Sequence, residues 1–209
     1  MECQDCGMVH QFIPGKPGAP VLLLLHGTGG TENDLLELGH SLNPDATLLS
    51  PRGNILENGM PRFFRRLAEG VFDEPDLIFR TNELADFVQT MREKHQLGPI
   101  VAVGYSNGAN IAASLFLLRP EILAGAILLR AMVPLQPATA PELTGTPIFL
   151  AGGKRDPIIP PENTQRLATM LKIAGANVEV HWTDGGHELH SPELAAAKSW
   201  LAIHFPISI

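Results

Sequence analysis

The feature of this sequence that most constrains its fold is an alternation between short apolar runs and longer stretches of helical periodicity. Each apolar run is closed by Gly, Pro, Asn or Asp. Such runs are typical of strands buried on both faces, and their alternation with helices indicates β-α units in a mostly parallel sheet. The predicted strands are residues 21–26, 46–50, 100–105, 125–129, 147–151 and 177–182, with a weaker one at 9–13. We therefore expect an α/β protein with helices on both faces of its central sheet.

The helices are predicted between these strands from the spacing of their apolar residues. Leu84, Phe87 and Met91 recur at intervals of three and four, which is helical spacing. Ser191 is the expected N-cap of the last helix. The predicted helices cover residues 82–95, a segment from about 107 onward, 161–174 and 191–204.

Length and composition narrow the classes of protein to consider. A chain of 209 residues that is 44% hydrophobic can bury a large core, so we expect one domain over residues 1–209 with a loose terminus at 1–8. A net charge of -7 argues against nucleic acid as a partner, because phosphate binding needs a basic surface. The longest purely apolar run, 21–25, is too short to span a membrane.

The N-terminal segment predicts neither export nor a metal site. It has no basic region followed by an apolar stretch, so we expect a cytoplasmic protein. Cys3 and Cys6 form a C-x-x-C pair with His10 nearby, but a structural zinc site needs four ligands and no second cysteine pair follows. The two cysteines are interpreted as reduced surface thiols, and no metal or organic cofactor is expected.

The stretch "VGYSNGAN", residues 103–110, contains a Gly-x-Ser-x-Gly pattern between a predicted strand and a predicted helix. A turn this sharp strains the backbone of its middle residue, and small neighbours at Gly104 and Gly108 prevent clashes. The arrangement would expose Ser106 at the C-terminal edge of the sheet, where open α/β sheets bind ligands. Ser106 is therefore a candidate nucleophile.

A serine nucleophile needs a base, and the base needs an acid to orient it. Two later strands end in "GGKRDPIIP" and "DGGHELH", at the same sheet edge as Ser106. We predict Asp156 as the acid and His187 as the base. Asp184 is the alternative acid, and His190 is the alternative base.

Hydrolysis of an acyl group also requires donors for a developing oxyanion. Asn107 follows the nucleophile, and Thr28 lies in the glycine-rich stretch "HGTGG" after the first long strand. The backbone N–H groups of Thr28 and Asn107 are the predicted donors. The stretch lacks the Lys-Ser/Thr pair of a phosphate-binding loop.

Taken together, these residues resemble the bacterial phospholipase/carboxylesterase family of α/β-hydrolases, and within it the branch of hydroquinone-inducible hydrolases. The motifs that carry the resemblance are "LLLLHGTGGTENDLL", "VGYSNGANIAASL", "GGKRDPIIP" and "DGGHELH", in that order within residues 21–190. The resemblance implies an α/β-hydrolase fold without a large lid domain. It also implies ester hydrolysis by Ser106, Asp156 and His187.

Two segments are candidates for substrate contact. In "GMPRFFRRLAEGVFDEPDL", residues 59–77, Phe63, Phe64 and Arg65 are the predicted substrate-binding residues, together with Phe72 and the arginines at 62 and 66. The alternative is a surface helix whose arginines pair with nearby acidic residues. The Pro/Thr-rich loop at 132–147 is long enough to suggest that it walls a pocket.

The leading functional hypothesis is a serine carboxylesterase acting on small soluble esters. One alternative keeps the triad but acts on lysophospholipids or acyl thioesters, and another is a non-catalytic protein that binds a ligand in the same crevice. The expected partner is a small-molecule ester, and the sequence leaves open whether the chain forms a homodimer.

Overall fold

A computed structural model describes residues 7–207 of the chain. Its strands are β1 (His10–Ile13), β2 (Val21–Leu25), β3 (Thr47–Pro51), β4 (Ile55–Glu57), β5 (Met60–Arg62), β6 (Arg66–Ala68), β7 (Val71–Phe72), β8 (Ile100–Tyr105), β9 (Gly125–Leu129), β10 (Pro147–Gly153) and β11 (Asn177–Thr183). Its helices are α1 (Leu36–Leu42), α2 (Glu74–His95), α3 (Asn107–Leu118), α4 (Pro161–Ile173) and α5 (Ser191–His204).

Seven of the strands form one sheet in the order β1-β3-β2-β8-β9-β10-β11. The pairing is parallel throughout, except that β1 runs antiparallel to β3 at the edge. The predicted α/β fold is confirmed. Because parallel strands present their carboxyl ends at one edge, the loops after β2, β8, β10 and β11 are brought together there.

The sheet is buried on both faces, as its continuous apolar strands predict. Along β2, Leu23 and Leu25 belong to one hydrophobic cluster, which includes residues of α2, α3 and α4. Leu22 and Leu24 point to the opposite face, into a cluster that includes Trp200 of α5. This alternation follows from the two-residue period of a strand and places helices on each side.

Several elements differ from the sequence prediction. Helix α2 begins at Glu74 rather than at residue 82, because the Asp73 carboxylate caps it by accepting from the Asp76 N–H at 3.2 Å. Helix α1 was not predicted at all. The N-cap of α5 is His190, one residue before the predicted Ser191.

The segment between β3 and α2 forms two short hairpins, β4–β5 and β6–β7. It does not form the surface helix that was the alternative interpretation of residues 59–77. Asn58, Gly59 and Gly70 have positive φ at the turns. Such turns fold the chain back on itself, which a helix over these residues does not permit.

At the N-terminus, Cys3 and Cys6 lie outside the described residues, as does most of the segment expected to be loose. Met8 is described and is buried against the main hydrophobic cluster, which differs from that expectation. Within residues 7–207, none of the helices has the length and apolar character needed to cross a membrane.

Candidate active site

Ser106 lies on a strained turn between β8 and α3. Its backbone angles are φ 53° and ψ −112°, a conformation that L-residues rarely adopt. A Cβ atom on Gly108 would lie 1.9 Å from the Leu25 carbonyl oxygen, and one on Gly104 would lie 2.7 Å from the Ala109 backbone. The two glycines therefore allow the close approach of β2, β8 and α3 that keeps this turn tight.

The imidazole of His187 connects Ser106 to Asp156. Its Nε2 lies 2.9 Å from Ser106 Oγ, and its Nδ1 lies 2.8 Å from Asp156 Oδ2. The Asp156 side chain is only 1% exposed, and its Oδ1 accepts hydrogen bonds from the backbone N–H groups of Ile158 and Ile159 at 2.8 and 3.0 Å. A carboxylate held in this way favours the tautomer with the proton on Nδ1, which leaves Nε2 free to accept a proton from the serine.

The alternative acid and base lie elsewhere. The Asp184 side chain is 83% exposed and pairs with Lys154 at 2.8 Å, and this hydrogen bond is the main reason that the pKa of Asp184 is lowered. His190 Nε2 lies 3.1 Å from the Glu188 carboxylate, at the start of α5. Within residues 7–207, neither Asp184 nor His190 forms a hydrogen bond with Ser106 or His187.

Thr28 and Asn107 line the crevice beside Ser106. Within the described residues, neither of their backbone N–H groups donates to a protein acceptor. The loop that carries Thr28 is held in place because the Gly29 N–H donates to the Pro61 carbonyl at 2.9 Å. Two uncommitted N–H groups next to a serine hydroxyl suit the stabilisation of an oxyanion.

A buried histidine that sequence reasoning did not single out supports this loop. His26 Nδ1 lies 2.7 Å from the Gly27 carbonyl, and His26 Nε2 accepts the Gly53 N–H at 3.0 Å. These contacts require a neutral imidazole with its proton on Nδ1. Burial lowers the pKa of His26, which favours the neutral form. In the sequence, the position of His26 between a buried apolar run and Gly27 was the one sign that this histidine is buried.

The crevice at Ser106 is narrow, with a volume of about 50 Å³. Its walls combine apolar side chains with two guanidinium groups. Besides Ser106, Thr28 and Asn107, the lining consists of Arg62, Arg66, Glu69, Gly70, Phe72, Asn110, Met132, Ile158 and Ile159.

The three predicted substrate-binding residues do not line this crevice. Phe63 and Phe64 are buried in the hydrophobic core, and Arg65 is 60% exposed and pairs with Asp73 and Asp76. Other residues of the same segment, Arg62, Arg66 and Phe72, do line it. The fold of the two hairpins decides which side chains of this segment line the crevice, and the linear sequence does not reveal it.

Arg62 connects the hairpins to the Thr28 loop. Its guanidinium donates to Thr28 Oγ1 at 2.9 Å and to the Phe64 carbonyl at 3.2 Å, and it lies 3.0 Å from a Glu57 carboxylate oxygen. Burial lowers the pKa of Arg62. Glu57 also accepts from Arg66 at 2.9 Å, so one carboxylate serves two guanidinium groups. Arg66 lines the crevice, and within residues 7–207 its Nη groups donate no hydrogen bond to the protein.

The loop at 132–147 borders two different cavities. Met132 lines the crevice at Ser106, whereas Val133 and Pro141 line a larger, mainly apolar groove of about 460 Å³ against α4. That groove has no residue in common with the crevice.

Within residues 7–207, no cluster of three or more His, Cys, Asp or Glu side chains is placed to hold a metal ion.

Comparisons with known proteins find a matching family model, a similar curated protein and similar solved structures. The family model described as Phospholipase/Carboxylesterase matches residues 10–205. The putative hydrolase MhqD of Bacillus subtilis is 53% identical over 182 residues, which are 86% of this chain and 91% of MhqD. The crystal structure of a Bacillus cereus carboxylesterase has a TM-score of 0.93 and 50% identity, over 95% of both chains. The structure of YahD with malic acid has a TM-score of 0.89 and 34% identity, over 94% of this chain and 99% of YahD.

Proposed function

We propose that this chain, which belongs to the phospholipase/carboxylesterase family of α/β-hydrolases, is a serine carboxylesterase of small carboxylic esters. The observation that carries the proposal is the continuous hydrogen-bonded series from Ser106 through His187 to Asp156. Family membership agrees with the resemblance noted from the sequence motifs.

In the acylation step, His187 Nε2 takes the proton of Ser106 as Oγ attacks the ester carbonyl carbon. Asp156 stabilises the imidazolium that forms and keeps the ring oriented. The carbonyl oxygen becomes an oxyanion, which the N–H groups of Thr28 and Asn107 stabilise. The imidazolium then returns its proton to the departing alcohol, and the acyl group stays on Ser106 as an ester.

In the deacylation step, a water molecule takes the place of the alcohol. His187 removes a proton from this water, which attacks the acyl carbonyl and forms a second oxyanion intermediate. Collapse of the intermediate breaks the bond to Ser106 Oγ, and His187 returns the proton to that oxygen. The carboxylic acid leaves, and the enzyme is regenerated without a metal or organic cofactor.

The size of the crevice supports short acyl groups. The crevice offers about 50 Å³ beside Ser106, which suits a short acyl group better than a long acyl chain. The alternative substrates, lysophospholipids and acyl thioesters with long chains, are less compatible with this space.

The guanidinium groups on the wall suggest a finer preference. Arg62 and Arg66 line the crevice, and Arg66 has donors that Glu57 does not occupy. Guanidinium groups bind carboxylates by paired, charge-assisted hydrogen bonds. The related YahD structure contains malic acid, a dicarboxylic acid. Half-esters of small dicarboxylic acids therefore belong among the substrates to test.

The experiment is hydrolysis of a p-nitrophenyl ester series from acetyl to palmitoyl by wild type and by Ser106→Ala. We expect activity with short acyl groups that the substitution abolishes without unfolding the protein. Activity that rises toward palmitoyl would support the lysophospholipase or thioesterase alternative. Turnover retained by folded Ser106→Ala would contradict the proposed nucleophile.

A further inference from the structure

Two side chains donate hydrogen bonds to three successive carbonyl groups in the loop that carries His187, namely those of Gly186, His187 and Glu188. Arg130 Nε donates to the Gly186 carbonyl at 3.0 Å, and Arg130 Nη2 donates to the Glu188 carbonyl at 2.5 Å. The Tyr105 hydroxyl donates to the carbonyl of His187 itself at 3.1 Å. Gly185 and Gly186 make this loop intrinsically flexible, so its position depends on contacts from outside.

Arg130 is itself held rigidly. Its side chain and that of Glu193 are both fully buried, and the two form a bidentate pair with N–O distances of 2.6 and 2.8 Å. Glu193 also accepts the His190 N–H at 2.7 Å, which ties it to the first turn of α5. Arg130 therefore makes four side-chain hydrogen bonds, two to Glu193 and two to the carbonyls that flank His187.

The backbone at Arg130 is strained. Its φ is +59°, a left-handed conformation that is uncommon for residues other than glycine, asparagine and aspartate. The residue directly follows β9, and its N–H donates to the Ala151 carbonyl at 2.8 Å. A strained backbone persists only where the surrounding contacts determine it, and such residues concentrate at functional sites.

We propose that Arg130 is a positioning residue for His187 and that Glu193 anchors it. Arg130 does not touch Ser106 or a reacting atom. It holds the carbonyl groups of Gly186 and Glu188, the residues on either side of His187, so that the imidazole lies within hydrogen-bond distance of both Ser106 and Asp156. The proposal rests on the proposed function, because it assigns Arg130 a part in the activity of that triad.

The test must separate positioning from the general effect of a buried ion pair. Removing one partner leaves an uncompensated buried charge, which is strongly destabilising. Glu193→Gln removes one partner of the pair but leaves Arg130 able to reach the carbonyls of Gly186 and Glu188. The double variant Arg130→Met/Glu193→Gln has neither charge, retains an amide oxygen for the His190 N–H, and loses the bonds to Gly186 and Glu188. The two variants therefore differ in the Arg130 contacts with the His187 loop.

We expect both variants to fold, with Glu193→Gln at most as stable as the double variant. We expect kcat for p-nitrophenyl acetate to fall about 10- to 100-fold further in the double variant than in Glu193→Gln, because a displacement of about 1 Å can cost that much. KM should change less than about threefold. A further control is Arg119→Met/Glu121→Gln, which removes a solvent-accessible ion pair and the Arg119 contact with Asp86 at the far end of α3 from Ser106.

A second readout does not depend on turnover. The ¹⁵N chemical shifts of the His187 imidazole report which ring nitrogen carries the proton. Wild type and Glu193→Gln should show the Nδ1–H tautomer that Asp156 favours, and the double variant a mixture. A double variant with the kcat and the tautomer of Glu193→Gln would overturn the proposal. If wild type hydrolyses no ester, the proposed function fails while the tautomer still decides whether Arg130 positions His187.

Discussion

Ser106 Oγ lies 2.9 Å from His187 Nε2, although 81 residues separate the two in the chain. The contact exists because β8 and β11 are parallel strands of one sheet, so that the loops following them lie at the same edge. The strain at Ser106 and the flexibility of the His187 loop are both offset by contacts from neighbouring strands.

Asp156→Asn should lower kcat by about 10⁴-fold, because the amide no longer favours the productive tautomer of His187. The matched control is Asp184→Asn, which alters an exposed carboxylate that pairs with Lys154. It should change kcat less than about threefold. Steady-state kinetics on p-nitrophenyl acetate compares the two. Similar losses in both variants would contradict the assignment of Asp156 as the acid.

Gly108→Ala should destabilise the fold by at least about 2 kcal/mol. The added Cβ would lie 1.9 Å from the Leu25 carbonyl oxygen, so β2 and α3 must separate. Gly98→Ala is the control, because a Cβ there has no heavy atom within 4 Å and the backbone is not left-handed. Urea unfolding measures both free energies. An equal effect at the two positions would show that the close approach at Gly108 does not determine stability.

His26 should make stability depend on pH. Because burial lowers its pKa in the folded protein, the unfolded chain binds a proton at His26 more readily. The contribution of His26 to the free energy of unfolding is therefore complete above its ordinary pKa of 6.5, and it is lost as pH falls below that value. The loss cannot exceed about 1.4 kcal/mol per pH unit.

The measurement compares wild type with His26→Gln, since glutamine retains a donor and an acceptor but does not titrate. Urea unfolding at pH 7.5 and pH 5.5 gives the change in free energy for each protein. Wild type should lose more stability on acidification than the variant. An identical loss in both would show that His26 does not titrate differently in the folded and unfolded states.

Arg66→Gln should reduce kcat/KM for a half-ester of a small dicarboxylic acid about 10-fold or more, because a charge-assisted hydrogen bond is lost. The effect on a neutral ester of the same size should be smaller. Arg65→Gln is the control, since Arg65 is exposed and does not line the crevice. Equal reductions for the charged and neutral esters would argue against recognition of a carboxylate by Arg66.

Much of the fold was predictable because the sheet is buried on both faces. Strands β8 and β9 were predicted with the same bounds as in the structure, and the other predicted strands differ by one or two residues. Continuous apolar runs closed by Gly or Asp mark such strands clearly. Helix α1 was missed, since it has only seven residues. The hairpins between β3 and α2 were missed as well, because strands of two or three residues leave almost no periodic pattern.

The sequence also selected Ser106, Asp156 and His187, and the structure places their side chains within hydrogen-bond distance of one another. Their catalytic role stays a prediction until the variants are measured. The sequence could bring these three residues to one sheet edge because each directly follows a strand or lies in the loop after one. In contrast, the candidates in residues 59–77 were selected by residue type alone, and of these only Arg62, Arg66 and Phe72 line the crevice.

By itself, the sequence determined the strand order along the chain, the burial of the sheet and the loops that carry the candidate triad. These properties depend on local composition and on a period of two or 3.6 residues, which a linear pattern records. Only the tertiary structure decided which arginines line the crevice at Ser106 and that the Arg130–Glu193 pair holds the His187 loop. Those contacts join residues tens of positions apart, so they depend on how the packed elements are oriented and leave no periodic signal in the sequence.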